Sequence, residues 1–323
     1  MEKNINFYIH AFSKLRRGNE DAPHKPILLL SVINLYEGGL AESNHIYITP
    51  ILVALFRDNW LALVKTSHTQ RFPLPFFHLS NEKSNFWHLI PNAGSEVWLA
   101  SKAAIRSFEA LKKAVAYAQI DLELHHFLQQ KEARDLLKTT LLETYFPDKS
   151  SNSIDGLGGI YTNEIKHQIL MDSGEQYAKR NEWLQKTMST DEFLEDRFVR
   201  SGFFKRTIPE VYQNTCCISG LRIDATTEIA LIDACHIIPF SISQNDTIGN
   251  GICLCPNLHR AFDRGLISIS EHYEVVVSNN FIENNSSYGI RQFEGKKIRL
   301  PDQQTFLPKI ENFWWHQKNV FKK

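Results

Sequence analysis

The stretch DACHIIPFSISQNDTIGNGICLCPNLHRAFDRG, Asp233 to Gly265, constrains the fold more than any other part of the chain. It sets two histidines, Asn250 and three aspartates among apolar and Gly-rich segments. A plain structural core does not need polar side chains at that density. EIALIDACHII reads as a β-strand that ends near His236. CPNLHRAFDRG reads as a short helix stopped by Gly265. LISIS and YEVVVS read as further strands. Two strands and then a helix, arranged around the polar residues, predict a compact ββα unit.

His236, then Asn250 in GNG, then His259 on the short helix resemble the HNH nuclease family in order and spacing. The likeness includes Pro239, Gly251, Leu254, Cys255, Ala261, Phe262, Asp263 and Gly265. It extends outward to FKRTIPEVYQNTCCISGL and to WWHQKNVF. It implies a ββα-metal nuclease domain acting on double-stranded DNA. Hydrolysis of a phosphodiester needs a base for water and a cation for charge on the phosphate oxygens. His236 suits the base, since a neutral imidazole accepts a proton near neutral pH. Asn250 is expected to fix that ring by a hydrogen bond. His259 is expected as a metal ligand, with Asp263 one helical turn on sharing a divalent cation, Mg²⁺ or Mn²⁺. Where many members carry an acid or a histidine just before the first histidine, this chain has Cys235. Asp233 lies on the same strand face, so it is a further metal candidate. Arg260 and Arg264 are candidates for phosphate contact.

The rest of the chain predicts an α+β protein. HKPILLLSVINLYEGGL reads as a helix with a glycine stop. TPILVALFRDNWLALV reads as a second helix, with Thr49 as N-cap and Pro50 at its first position. RFPLPFFHLSNEKSNFWHLIP is aromatic and broken by Pro73 and Pro75, and it reads as two strands of a hairpin. From Ser101 to Phe146 the spacing is helical. RFVRSGFFKRTIPEVYQ reads as a helix with a break before Pro209. PDKSSNSIDGLGG is the natural boundary. The expected organisation is a mainly helical domain with a small sheet over 1–150, an acidic connector over 151–195, and a nuclease domain over 196–323.

The formal net charge is zero, which argues against a strong nonspecific polyanion binder but allows a local basic face. No apolar run reaches the ~20 residues of a membrane span. The opening MEKNINFYIHAFSKLRR has no export signal, so the cytoplasm is the expected compartment. Of the five cysteines, Cys216 and Cys217 are adjacent, Cys253 and Cys255 are one apart and Cys235 stands alone, so none forms a C-x2-C pair. Buried free thiols are expected, and a structural zinc is not.

APHKPILLL, LFRDNW, PFFHL, FWHLIP and LLETYFP resemble the sulfur-binding domain of phosphorothioate-dependent, McrA-like HNH restriction endonucleases. The resemblance implies an apolar cup for a sulfur that replaces a non-bridging phosphate oxygen. Tyr145, Phe146 and Pro147 would supply it, and His78 stands where the family has a basic residue. Sulfur is less well hydrated than oxygen, so an apolar cup discriminates by desolvation. His24 and Lys25 before the first long helix either bind phosphate at its N-terminus or cap it. The expected function is a modification-dependent restriction endonuclease, with a homodimer needed to cut both strands. Two alternatives are a methylcytosine-directed HNH nuclease and a non-catalytic DNA-binding module.

Overall fold

Asn4 opens the first helix by accepting a hydrogen bond from Phe7 N, and α1 runs over Ile5–Ser13. The computed structural model describes residues 3–18, 21–96, 105–148, 159–223, 231–284 and 286–323. The expected boundary at 147–159 lies largely outside them. The chain divides into two compact units, residues 1–164 with 188–199, and residues 165–187 with 200–323.

In the first unit, α2 (His24–Glu37) is apolar on every side, and each residue from Pro26 to Tyr36 is buried. Gly38 and Gly39 stop it as expected, with Gly39 at φ +68°. After β1 (His45–Tyr47), the Thr49 hydroxyl caps α3 (Pro50–Leu63) by accepting from Leu52 N. Asn59 on α3 donates to Ser31 Oγ at 3.1 Å and to Asn34 Oδ1 at 2.8 Å, so the buried polar groups of α2 and α3 satisfy one another. Arg57 is also buried, and its guanidinium donates to Asp196 Oδ1 at 3.0 Å and to Tyr161 Oη at 3.0 Å.

The expected hairpin is half right. PLPFFH forms a helix, α4 (Pro73–His78), and only WHLIP is a strand, β2 (Trp87–Pro91). Pro73 sits in the first helical turn, where its missing N–H leaves no bond unmade. The helical spacing expected from Ser101 to Phe146 also breaks. Residues 101–104 lie outside the described residues. Then α5 (Phe108–Ala114) gives way to β3 (Val115–Ile120), followed by α6 (Leu122–Gln129) and α7 (Lys131–Tyr145). β3 is the central strand of an antiparallel sheet, with Ile46 of β1 and Leu89 of β2 both opposite Ala118.

The interval expected as a connector holds α8 (Ile160–Met171) and α9 (Gly174–Thr187). α10 (Thr190–Val211) continues through Pro209 with no break. Ile208 and Tyr212 on either side are buried and hold that last turn in place. The second unit then contains β4 (Asp233–His236), α11 (Phe240–Ser243), β5 (Gly251–Leu254), α12 (Pro256–Asp263), β6 (Ile267–Ile269), β7 (Val275–Val277) and α13 (Ile310–Asn319). The fold is mixed α+β, with two small two-stranded antiparallel sheets in this unit, β4–β5 and β6–β7. Cys216, Cys217, Cys235 and Cys253 are buried free thiols, and Cys255 is half-buried. Among the described residues no helix is long and apolar enough to cross a membrane.

Candidate active site

β4 and β5 pair antiparallel with Asp233 opposite Leu254 and His236 opposite Gly251. Ile252, Cys253 and Leu254 are all fully buried, so β5 lacks the polar–apolar alternation that marks a strand in sequence. Pro256 then starts α12, and Gly265 at φ +71° ends it. The expected strand–strand–helix unit is therefore present, with β5 as its second strand.

His236 lies at the end of β4 with its side chain 17% exposed. Its ring stacks on Phe204 of α10 at 4.0 Å and 7° between planes. A side chain on Gly251 would meet Ile208 Cδ1 at 2.4 Å and Phe204 Cζ at 3.0 Å, so the glycine opposite His236 makes room for that stack. Nε2 lies 2.8 Å from Asp246 Oδ1. Among the described residues none hydrogen-bonds Nδ1.

The expected bond from Asn250 to the His236 ring is not made. Asn250 is fully buried, and its side chain is used up by the loop that follows β4. Its Oδ1 accepts from Ile238 N at 2.9 Å, and its Nδ2 donates to Ile238 O and to Asn245 O, each at 3.0 Å. Ser243 Oγ lies 3.4 Å from the same Nδ2. Both amide hydrogens and one face of the amide oxygen are thus engaged by the loop. Asn250 thus shapes residues 238–245, next to Asp246, and makes no hydrogen bond to the ring.

His259 on α12 faces carboxylates through both nitrogens. Nδ1 is 3.2 Å from Asp233 Oδ2, and Nε2 is 3.5 Å from Asp263 Oδ2, one turn along the helix. Cys235, His259 and Asp263 each bring a ligand atom within 4.8 Å of the others. Burial pushes the Cys235 thiol well above its ordinary pKa. One ring nitrogen of His259 with a carboxylate oxygen of Asp263 is a donor pair that fits a divalent cation, while Asp233 faces the other nitrogen. Arg260 on the same helix and Arg264 just after it are exposed.

The residues expected to read DNA in the first unit fall into two groups. His24 stacks on Trp60 at 4.7 Å and its Nε2 lies 2.9 Å from Thr69 O, and burial lowers its pKa. Lys25 is paired with Glu82, which also accepts from Arg16 N at 3.2 Å, so this lysine is neutralised within the unit. Partial shielding of the His78 ring, and then Lys25 nearby, lower the pKa of His78. Tyr145 donates to Phe12 O at 2.8 Å and accepts from Leu15 N at 3.0 Å, with the Arg17 guanidinium 4.7 Å above its ring. Phe146 is buried, and Pro147 is exposed. Lys25, Glu82 and the Arg16–Arg17 backbone thus link the surroundings of His78 to those of Tyr145, while His24 belongs to another cluster.

Sequence reasoning assigned no role to Asp246, Phe204 or His316. Asp246 was visible as an acid in a polar turn, ten positions after His236. Phe204 and His316 carry no local signal, because each meets the ββα unit from a distant helix. His316 of α13 stacks on Phe262 of α12 at 3.7 Å, donates from Nε2 to Phe262 O at 3.1 Å, and pairs through Nδ1 with Ser268 Oγ at 2.9 Å.

A modification-dependent TagI restriction endonuclease is similar at 20% identity and a TM-score of 0.28, over 36% of this chain and 37% of that one. This chain therefore spans little more than a third of the TagI enzyme. The type IV phosphorothioation-dependent restriction endonuclease ScoMcrA is similar at 12% identity and a TM-score of 0.34, over 81% of this chain and 84% of that one. No curated protein matches the chain. The profile of the family described as HNH endonuclease matches residues 216–270, the segment that contains β4, β5, α12 and β6. The unit that carries His236, Asn250 and His259 is an HNH endonuclease domain.

Proposed function

We propose that the protein is a modification-dependent DNA endonuclease whose HNH domain hydrolyses phosphodiester bonds and whose first 150 residues recognise phosphorothioated DNA. The observation that carries the hydrolytic half is the His236 ring. It is clamped on one face by Phe204 and held at Nε2 by Asp246, which leaves Nδ1 for a water molecule. In this reading His236 takes a proton from water as the resulting hydroxide attacks phosphorus, and the P–O bond to the departing oxygen breaks. His259 and Asp263 would hold a divalent cation, with Asp233 accepting a hydrogen bond from the other ring nitrogen of His259. Such a cation supplies positive charge for the phosphate and the departing oxygen. Arg260 on the exposed side of α12 and Arg264 at its end contact neighbouring phosphates. Asn250 acts through the loop that it ties.

The targeting half is supported by the sequence resemblance over residues 1–150 and by the cluster around Tyr145. The ring of Tyr145 is fixed by two backbone bonds, and exposed Pro147 follows two residues later. The domain boundaries we propose are 1–150, 151–195 and 196–323. Two sites are needed to cut a duplex on both strands, and we read the active form as a homodimer in the cytoplasm.

The test is cleavage of four duplexes of one sequence: plain, phosphorothioated in each stereochemistry, and methylated at cytosine. We expect cutting of one phosphorothioated duplex with Mg²⁺ or Mn²⁺, and no cutting in excess chelator. Cutting of the methylcytosine duplex alone would transfer the proposal to the other modification. Undiminished cutting in chelator would remove the cation from it.

A further inference from the structure

We infer that Asp246 is the positioning residue of the general base, holding His236 in the tautomer with the proton on Nε2. The inference rests on the reading of His236 as the base. Asp246 is 1% exposed, and a buried carboxylate persists only where it is hydrogen-bonded. Its Oδ1 faces His236 Nε2 at 2.8 Å, and its Oδ2 lies 3.4 Å from the hydroxyl of buried Tyr177. A carboxylate offers only acceptors, so the ring nitrogen that faces it carries the hydrogen. The other nitrogen, Nδ1, then presents a lone pair. This is what a proton acceptor requires, and it is fixed by geometry and not left to the tautomeric equilibrium of a free imidazole.

The surroundings remove the remaining freedom of the pair. Phe204 covers one face of the ring at 4.0 Å, and Phe240 lies 5.6 Å away at an angle. The backbone on either side of Asp246 is tied as well. Thr247 N donates to Asn245 Oδ1 at 2.9 Å, and Asn245 O accepts from Asn250 Nδ2 at 3.0 Å. Asn250 therefore reaches His236 through Asp246. When Nδ1 takes the proton from water, the ring becomes a cation with Nε2–H still donated to Asp246. The proton stays on the ring, and the carboxylate stabilises the charge without receiving it.

The experiment compares full-length wild type, Asp246→Ala, Asp246→Asn and His236→Ala. Cleavage is measured with Mn²⁺ on the phosphorothioated duplexes, and ring tautomers by long-range ¹H–¹⁵N spectra. The His236 resonances are identified by their loss in His236→Ala. Asp246→Ala should lower kcat by about 10²–10³-fold and leave KM within about threefold, the pattern of a lost orienting partner. Asp246→Asn can donate an amide N–H to Nε2 and favour the opposite tautomer, so it should be no more active than Asp246→Ala. The wild-type spectrum should show His236 protonated at Nε2, and Asp246→Ala should show exchange between both tautomers. If His236→Ala loses cleavage while Asp246→Ala cuts like the wild type, the inference falls and the base assignment stands. If His236→Ala cuts normally, the base assignment falls first. Should no duplex be cut, the spectra still decide, since an Nδ1–H ring in the wild type or an unchanged tautomer in Asp246→Ala overturns the inference.

Discussion

His259 has a carboxylate on each ring nitrogen, and this sets what a single substitution there does. Asp233 and Asp263 lie 3.2 and 3.5 Å from it, and both are partly exposed. Without the imidazole between them, two anionic groups remain and the site loses the ring nitrogen that faces Asp263. We expect His259→Ala to lower cleavage by about 10²-fold or more at a fixed Mn²⁺ concentration, with part of the loss regained at higher Mn²⁺. A metal titration of rate checks this, and an unchanged midpoint would remove His259 from the ligand set. The order His236, Asn250, His259, Asp263 was legible in sequence because each lies in one short window with its own strand or helix signal. The bond of Asn250 to loop backbone was not legible. Its amide has equal chemical claim on a ring or on a carbonyl, and only the path of residues 238–245 decides.

At the scale of elements, α12 is held by α13 through one buried histidine. Burial lowers the pKa of His316 to about 4, against the weaker opposite effect of its bond to Phe262 O. In the unfolded chain the same ring protonates near ~6.5. The stability it contributes is full above that value, and falls as pH drops towards 4, because the unfolded chain gains a proton that the folded one refuses. The span corresponds to about 3 kcal/mol. Urea unfolding at several pH values should show the second unit weakening through this window, and His316→Gln should flatten the slope. An equal slope in both proteins would assign the acid loss elsewhere. The elements with a chemical start or stop were readable: Thr49 for α3, Gly39 after α2, Pro256 and Gly265 for α12. Two were misread for opposite reasons. The prolines of PLPFFH suggest a broken strand, yet they lie in the first turns of a helix. VAYAQI follows a helical run without punctuation, and its pairing to both β1 and β2 makes it a strand.

For the whole molecule, the proposal predicts a difference in affinity that does not need catalysis. His236→Ala of the full chain should bind a phosphorothioated duplex more tightly than the plain duplex of the same sequence. A desolvation difference of about 1–3 kcal/mol corresponds to roughly 5–150-fold. Titrations at one salt concentration and in several sequence contexts check it, since phosphate contacts weaken with salt. Equal affinities throughout would leave an HNH enzyme without a sulfur reader. A substitution of Pro147 by Ser in the same background should narrow the gap while plain-duplex binding is unchanged.

The stack of His236 on Phe204 and of Phe262 on His316 bears on how portable such a site is. Every candidate ligand and base lies between Asp233 and Gly265, so the segment looks like a cassette that could be transplanted into another scaffold. Both ring partners come from helices outside it, one before and one after. A graft of the segment alone would carry the donor atoms without the walls that hold them still. An engineer who wants a working copy has to move α10 and α13 with it.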